Sequence, residues 1–382
     1  MSVLFTLFWL LLGLLFFSYV GYGLVVLLLI PFRRKRAVHQ DGNLPQITLV
    51  IPCYNEAGIL HQKITNSLEL DYPPGKLSLL VVADGSSDDT LEVLKGFTQI
   101  RVLYQPQRAG KTAALNRAMK EVETPLVVFS DANTLLNKEC LLELAKHFAD
   151  AKVGAVAGEK KILHSSGMGF AEGWYWMYES YMKTLDARFY SVLSAAGELV
   201  AMRTALYEPM DASVILDDLV LSINICLRGY TIAYEPKAFA MEAPSRSLGE
   251  EEKRKVRIAA GAFQSLKKIS FTRLMRFPAL TFQFFCRRWL RWVVCPPAIL
   301  IVFIINVLLV IFKAPNFYTA FLYLQLACYF LSFIGWLLIR KNKAFSIATV
   351  PFYFLFMNYC MMAGWVRSLR KEQTVLWEKA ER

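Results

Sequence analysis

The sequence predicts an α/β domain built on a mostly parallel sheet, with transmembrane helices at both ends of the chain. Three observations carry this. Of the 382 residues, 55% are hydrophobic and 19% charged, against about 45–50% and about 25% in soluble domains, and the mean hydropathy is +0.36. The apolar surplus is concentrated in uncharged runs at the two ends. Between those runs, short β-rich segments alternate with helical ones, and the strands are almost continuously apolar, as in a parallel sheet covered on both faces. This excludes a disordered chain and an ordinary soluble enzyme.

Residues 3–32 carry no charge, more than the roughly 20 residues that span a bilayer. Arg33-Arg34-Lys35-Arg36 follows and nothing basic precedes, the reverse of a secretory signal. We expect an uncleaved anchor over 1–32 with its N-terminus outside, and a basic linker over 33–45 on the cytoplasmic side. The α/β domain occupies 46–250, with strands over 47–52, 77–84, 100–104, 126–131 and 153–157 and helices over 57–70, 88–97, 112–122 and 138–148. No internal repeat or low-complexity linker interrupts it.

The formal net charge is +12, and 253–292 holds eleven basic residues and no acid. The segment 251–292 is therefore expected at the bilayer interface, and diffuse nucleic-acid binding is excluded. Three more uncharged runs, 293–312, 314–339 and 344–366, place membrane helices in 293–382. Counting crossings puts the basic cluster 340–343 inside but the basic tail after 366 outside, so count and charge disagree there. Pro351 and Asn358 interrupt the last run, which is expected to kink or re-enter. The side of the C-terminus stays open. The seven cysteines include no C-x-x-C pair and the four histidines no H-E-x-x-H, which argues for reduced thiols and against a zinc site.

Two strands end in an acid, Asp84 and Asp131. In doubly wound sheets ligands bind outside the carboxyl ends of the strands, so both carboxylates are expected in one crevice, although each also suits a helix N-cap. Gly85-Ser86 after Asp84 allows close backbone approach to a ribose or base. Asp131 and Asn133, two apart in an extended segment, can offer oxygens to one hard cation. Asp217 and Asp218 open a helix expected over 216–227, where they also suit the helix dipole.

The ordered motifs Pro52-Cys53-Tyr54-Asn55-Glu56, Asp84-Gly85-Ser86 with Asp88, Arg108-Ala109-Gly110-Lys111 before Ala114-Leu115-Asn116, and Ser130-Asp131-Ala132-Asn133 resemble those of family 2 glycosyltransferases. The likeness continues through 197–203, Asp217-Asp218 and 253–257, covering about 46–265. Within that family it resembles membrane-bound exopolysaccharide synthases of the poly-N-acetylglucosamine and hyaluronan type. It implies a GT-A fold, a UDP-sugar donor held by the Pro52–Glu56 and Asp84–Ser86 motifs with Lys111, and the uridine on Asp84. It further implies a divalent cation, Mg²⁺ or Mn²⁺, bridging Asp131 to the diphosphate, Asp218 as catalytic base beside Asp217, and inversion at the anomeric carbon. The family's usual Glu-Asp is Asp-Asp here. Of its Gln-x-x-Arg-Trp only the arginine survives, in Arg254-Lys255-Val256-Arg257-Ile258, where Arg254 and Arg257 are candidates for binding the diphosphate.

Several features are set aside. Arg287-Arg288-Trp289 imitates that motif but is expected to anchor at the bilayer interface. Gly110-Lys111-Thr112 is no P-loop, because Gln105 stands where the first glycine belongs. The run Trp174-Tyr175-Trp176 either stacks on sugars or packs in a core. The expected function is transfer from UDP-GlcNAc or UDP-Glc onto a growing polysaccharide, with the catalytic domain on the cytosolic face of the inner membrane. The alternative is single addition to a polyprenyl phosphate or other membrane lipid. Four helices are few for an export channel, so a homo-oligomer or export partner is expected.

Overall fold

The computed structural model describes residues 1–33, 44–163, 168–195, 197–343 and 345–370. The basic residues Arg34, Lys35 and Arg36 and the tail from 371 lie outside the described residues. The helices are α1 (Ser2–Phe32), α2 (Ala57–Leu68), α3 (Thr90–Lys95), α4 (Lys111–Ala118), α5 (Cys140–Ala145), α6 (Met168–Phe189), α7 (Asp217–Leu227) and α8 (Leu248–Lys268). They are followed by α9 (Pro278–Ile311), α10 (Asn316–Arg340) and α11 (Ser346–Arg370). The strands are β1 (Ile47–Cys53), β2 (Leu77–Asp84), β3 (Arg101–Gln105), β4 (Leu126–Ser130), β5 (Thr134–Leu136), β6 (Val153–Ile162), β7 (Leu199–Arg203) and β8 (Thr231–Glu242).

They form one sheet in the order β3-β2-β1-β4-β7-β6-β8-β5. The first four strands run parallel, with Ile47 opposite both Leu77 and Leu126. β7 enters antiparallel between β4 and β6, β6 and β8 are again parallel, and β5 closes the edge antiparallel. The order reverses between β1 and β4, the place where a doubly wound sheet leaves a crevice at its carboxyl edge. All seven residues of β1 are buried. The pleat sends Val50 into a core with Leu80, Val127 and Phe129, and Leu49 and Ile51 into a second core with Val81 and Val128, as the two-residue side-chain period requires.

Among the described residues four helices, α1, α9, α10 and α11, are long and apolar enough to cross a membrane. α9 differs from the sequence expectation. The helix begins at Pro278, inside the stretch expected to lie at the interface, and widens to a π-turn over Phe285–Val294. α11 runs as one uninterrupted helix through Pro351. Asn358 is absorbed by its Phe354 carbonyl and by the Tyr19 hydroxyl of α1. α8 starts on Ser247, whose hydroxyl accepts from the Glu250 backbone N–H, a cap that also places acids at the positive end of the helix. Its small residues let α11 approach closely: a Cβ on Gly364 would lie 2.4 Å from the Ala259 Cβ.

Candidate active site

The turn after β1 is laced to the turn after β2. Asn55 adopts φ +54°, a conformation asparagine tolerates. Its side-chain oxygen accepts from the Ser87 N–H (2.8 Å) and its own N–H donates to the Ser86 hydroxyl (3.1 Å). The Glu56 N–H donates to Thr90, and the Tyr54 ring lies 3.6 Å from the Arg108 guanidinium. Gly85 sits at φ +67°, and a Cβ there would lie 2.6 Å from the Arg108 nitrogen, so the close approach needs glycine. Asp84 is 1% exposed. One of its oxygens accepts from the Ala109 and Gly110 N–H groups (3.0 and 2.7 Å), the other from Arg117 (2.8 Å).

Asp131 lines the cavity that holds Asp217 and Asp218 and Asp84 does not, so the structure does not bring the two strand-end carboxylates to one cavity wall. Backbone donors of the 108–110 loop claim the Asp84 carboxylate and use it to hold that loop beside the site. Pro52 stays within β1, paired with Val82, while Tyr54, Asn55, Glu56, Gly85 and Ser86 join this loop cluster, and none of the six lines the cavity that contains the other acids.

That cavity, of about 300 Å³, is walled by Lys111, Asp131, Asp217, Asp218, Arg254 and Arg257 among others. Lys111 Nζ reaches Asp131 Oδ1 at 2.7 Å and Asp217 Oδ2 at 3.8 Å, so one cation bridges the end of β4 and the first turn of α7. Burial works against the Lys111 charge, yet the Asp131 and Asp217 carboxylates hold its proton well above the usual lysine range. Ser194 donates to Asp218 Oδ2 at 2.7 Å. Burial, reinforced by the neighbouring Asp217 carboxylate, pushes the Asp218 carboxyl up to about 6. Asn116, on α4, fixes the approach to α7 by accepting from the Tyr207 hydroxyl and bonding Met210 through both N–H and carbonyl.

Asn133 is half-buried and lies outside the cavity wall. The second oxygen donor reaching the Asp131 cation is Asp217, because the chain turns over Ala132-Asn133 instead of extending. Among the described residues no group of three or more His, Cys, Asp or Glu side chains is arranged to hold a metal. Mg²⁺ commonly takes one or two carboxylates and completes its shell with water and substrate phosphates. Asp131 and Asp217, already gathered around a cation, fit that pattern.

Sequence reasoning missed part of the wall. Lys160 pairs with Glu198 at 2.6 Å and with Glu242. Arg288 and Trp292 from α9 and Met357, Cys360 and Met361 from α11 also line the cavity, as do Tyr175 and Trp176 of the aromatic run that the sequence did single out. The anchor reading of Arg287-Arg288-Trp289 is corrected. Arg287 is 2% exposed and bound to Glu179 and Asp186 of α6, each at 3.1 Å. Those acids lie about a hundred residues upstream, and no local pattern connects them to the arginines. Arg254 is likewise held, by Glu251 and Glu172.

Residues 45–261 match the family model described as glycosyltransferase like family 2. The chain is 29% identical over 265 residues to the poly-β-1,6-N-acetyl-D-glucosamine synthase of Staphylococcus aureus (strain MSSA476), covering 66% of this chain and 63% of that protein. It is 25% identical over 246 residues to the synthase of the same name from Staphylococcus epidermidis, covering 62% and 59%. The chain thus spans somewhat under two thirds of these relatives. A mannosyltransferase from Pyrobaculum calidifontis, solved with GDP-Man and Mn²⁺, superposes with a TM-score of 0.75 over 97% of this chain and 100% of that one, at 20% identity, which establishes the shared GT-A-like fold. The chain belongs to glycosyltransferase family 2 and is related to exopolysaccharide synthases.

Proposed function

We propose that the protein moves a sugar from a UDP-sugar, of the UDP-GlcNAc or UDP-Glc type, onto a growing polysaccharide, with inversion, on the cytosolic face of the inner membrane. The observation that carries the reaction is the meeting of Asp217 and Asp218 with the Asp131–Lys111 pair in one cavity. The two named synthase relatives favour an N-acetylglucosamine polymer.

The leaving diphosphate concentrates negative charge, and Lys111 stands where that charge develops. A divalent cation, Mg²⁺ or Mn²⁺, bound by Asp131 with help from Asp217, would supply Lewis-acid neutralisation of the diphosphate. Arg257 lines the same wall and is assigned to the diphosphate. Arg254 is committed to its carboxylates and acts by shaping α8. Ser194 occupies Asp218 Oδ2, so Oδ1 is the oxygen that accepts the proton of the attacking acceptor hydroxyl. A carboxyl raised towards neutrality is a better base than an ordinary aspartate while still ionised at pH 7. Export of the product is assigned to a homo-oligomer or a partner protein.

The test supplies the purified full chain with labelled UDP-sugars, and GDP-mannose as contrast, with Mn²⁺ or Mg²⁺ and with or without chelator, then sizes the product. We expect metal-dependent polymer from a UDP-sugar. Asp218→Asn should lower turnover about 10²–10⁴-fold with UDP affinity within a few-fold of wild type. No incorporation from any UDP-sugar, or undiminished turnover in Asp218→Asn, overturns this reading.

A further inference from the structure

Ser194, Gly197 and Glu198 tie the candidate base to the Asp131–Lys111 pair. Ser194 donates to Asp218 Oδ2 at 2.7 Å, the Gly197 carbonyl accepts from Lys111 Nζ at 3.5 Å, and the Glu198 carbonyl accepts from the Ser130 hydroxyl at 3.1 Å. The backbone from which the Glu198 side chain springs is therefore fixed. Its carboxylate is fixed as well, because Lys160 Nζ donates to Glu198 Oε1 at 2.6 Å and pairs with Glu242 beside it. The two partners differ in exposure: the Lys160 side chain is 1% exposed and that of Glu198 17%. The lysine is sealed beneath the wall, and the carboxylate opens into the cavity. Only one Glu198 oxygen has a side-chain hydrogen bond among the described residues. Burial works against the Glu198 charge, yet Lys160 holds the carboxyl well below the usual carboxylate range. It stands in the cavity as an ionised group that can only accept hydrogen bonds.

The donor has no use for this carboxylate, which repels a diphosphate. Its complement is a ligand that brings hydroxyl protons. Asp218 lies near enough for the Glu198 charge to help raise its carboxyl. Trp176, whose ring centroid is 5.0 Å from Lys160 Nζ, lines the same cavity. A pyranose suits such a wall, because its hydroxyls need acceptors side by side and its C–H face packs on an aromatic ring. We propose that Glu198 determines specificity for the sugar acceptor. Its carboxylate accepts a hydrogen bond from a second hydroxyl of the terminal ring, that ring lies against Trp176, and the attacking hydroxyl is thereby directed to Asp218. Orientation of this kind lowers the barrier by fixing the reacting atoms before they react. Lys160 is a positioning residue that acts through Glu198. The class of acceptor selected is a neutral sugar with free hydroxyls; a polyprenyl phosphate would present anionic oxygens to Glu198 and no donor proton. The assignment rests on the transfer reading and narrows its acceptor.

The experiment titrates the full chain in detergent, saturated with UDP and Mn²⁺, with the methyl β-glycoside of N-acetylglucosamine and each of its monodeoxy analogues, following tryptophan fluorescence. Incorporation from labelled UDP-sugars is measured on the same preparation. We expect saturable binding of the glycoside and a loss of about tenfold or more when one particular hydroxyl is removed, as for a hydrogen bond to a charged group. In Glu198→Gln the parent glycoside should weaken by a similar factor, and that deoxy analogue should lose nothing further. UDP affinity should stay within a few-fold of wild type. Where Glu198→Gln fails to fold, Glu198→Asp takes its place: it keeps the charge for Lys160, draws the oxygen back by one methylene, and should shrink the same deoxy penalty. A penalty that persists in full in the variant, no penalty at any position, or no glycoside binding by the wild type overturns the assignment. UDP affinity falling in step with that of the glycoside would put Glu198 in the donor site and overturn it too. Binding is read without turnover, so polymer formed by a wild type that shows no such hydroxyl sinks this inference alone, and absent incorporation sinks the transfer reading.

Discussion

Asp218 sets the pH at which the site can work. A base must be ionised, and burial with the Asp217 charge holds this carboxyl near 6, so kcat/KM should rise with pH through an acid limb centred there. Asp217→Asn removes the like charge, and the limb should move to lower pH. A limb that stays put shows that another group limits the rate. Lys63 makes a second prediction. It is fully buried, donates to Ser130 at 2.7 Å and has no carboxylate partner among the described residues. Burial lowers its ammonium to about 7. Between that value and the ordinary 10.5 the unfolded chain holds a proton that the folded chain does not, so stability rises with pH across that window, by on the order of a few kcal/mol. Lys63→Met should flatten this rise in unfolding experiments from about pH 7 to about pH 10. An unchanged slope would place the titration elsewhere. Asp131, Asp217, Asp218 and Lys111 were legible from sequence because each ends a strand or opens a helix. Lys63 was not, since an isolated lysine in a helix reads as surface.

At the scale of elements, the α8–α11 contact joins the catalytic domain to the apolar helices. Gly364 meets Ala259 and the backbone of Val256 and Ala260, so Gly364→Val must push α11 outward together with the cavity residues Cys360 and Met361. Overpacking of this kind costs about 1–3 kcal/mol. We expect a lower thermal midpoint and reduced transfer with UDP binding retained. Gly173→Ala on α6 is the control, because nothing lies within 4 Å of the added Cβ and a helical Gly→Ala change stabilises by up to about 1 kcal/mol. Equal effects of the two would remove the packing argument. β1, β2 and β4 of the parallel half were legible because they are almost continuously apolar. β5, β7 and β8 were not. β5 has three residues, and β8 pairs with β6 through register shifts that break the two-residue period. The early start of α9 was hidden because Arg287 and Arg291 are neutralised by Glu179 and Asp186 of α6, a relation sequence spacing does not encode.

Over the whole molecule, the conflict between crossing count and basic charge near the C-terminus has a structural resolution in α11. Tyr353 bonds Glu251, Tyr359 bonds Glu252 and Gly364 packs on Ala259, so α11 runs beside α8 in the same direction. α8 carries Glu250, Glu251, Glu252 and Lys253 in its opening turns, and a helix so charged does not enter hydrocarbon. α11 is also the least apolar of the four long helices, with mean hydropathy 1.3 against 2.3, 2.8 and 1.9, and 44% of its apolar window is buried inside the protein, close to the 39% of α9 and above the 17% of α1 and α10. A helix covered by its own catalytic domain needs no full crossing. The prediction is three crossings, by α1, α9 and α10, with α11 lying along the interface and both of its ends on the proposed cytosolic side. That places Arg340 and Lys341 with Arg367 and Arg370, as the positive-inside bias requires. Cysteines introduced at the exposed positions Lys341 and Leu369 test it in a Cys328→Ser background, since the other six cysteines are buried. A membrane-impermeant maleimide should leave both unlabelled in intact cells and label both in inside-out vesicles. Labelling at 369 from outside while 341 stays protected would mean that α11 crosses, and the arrangement along α8 would then have to open in the membrane.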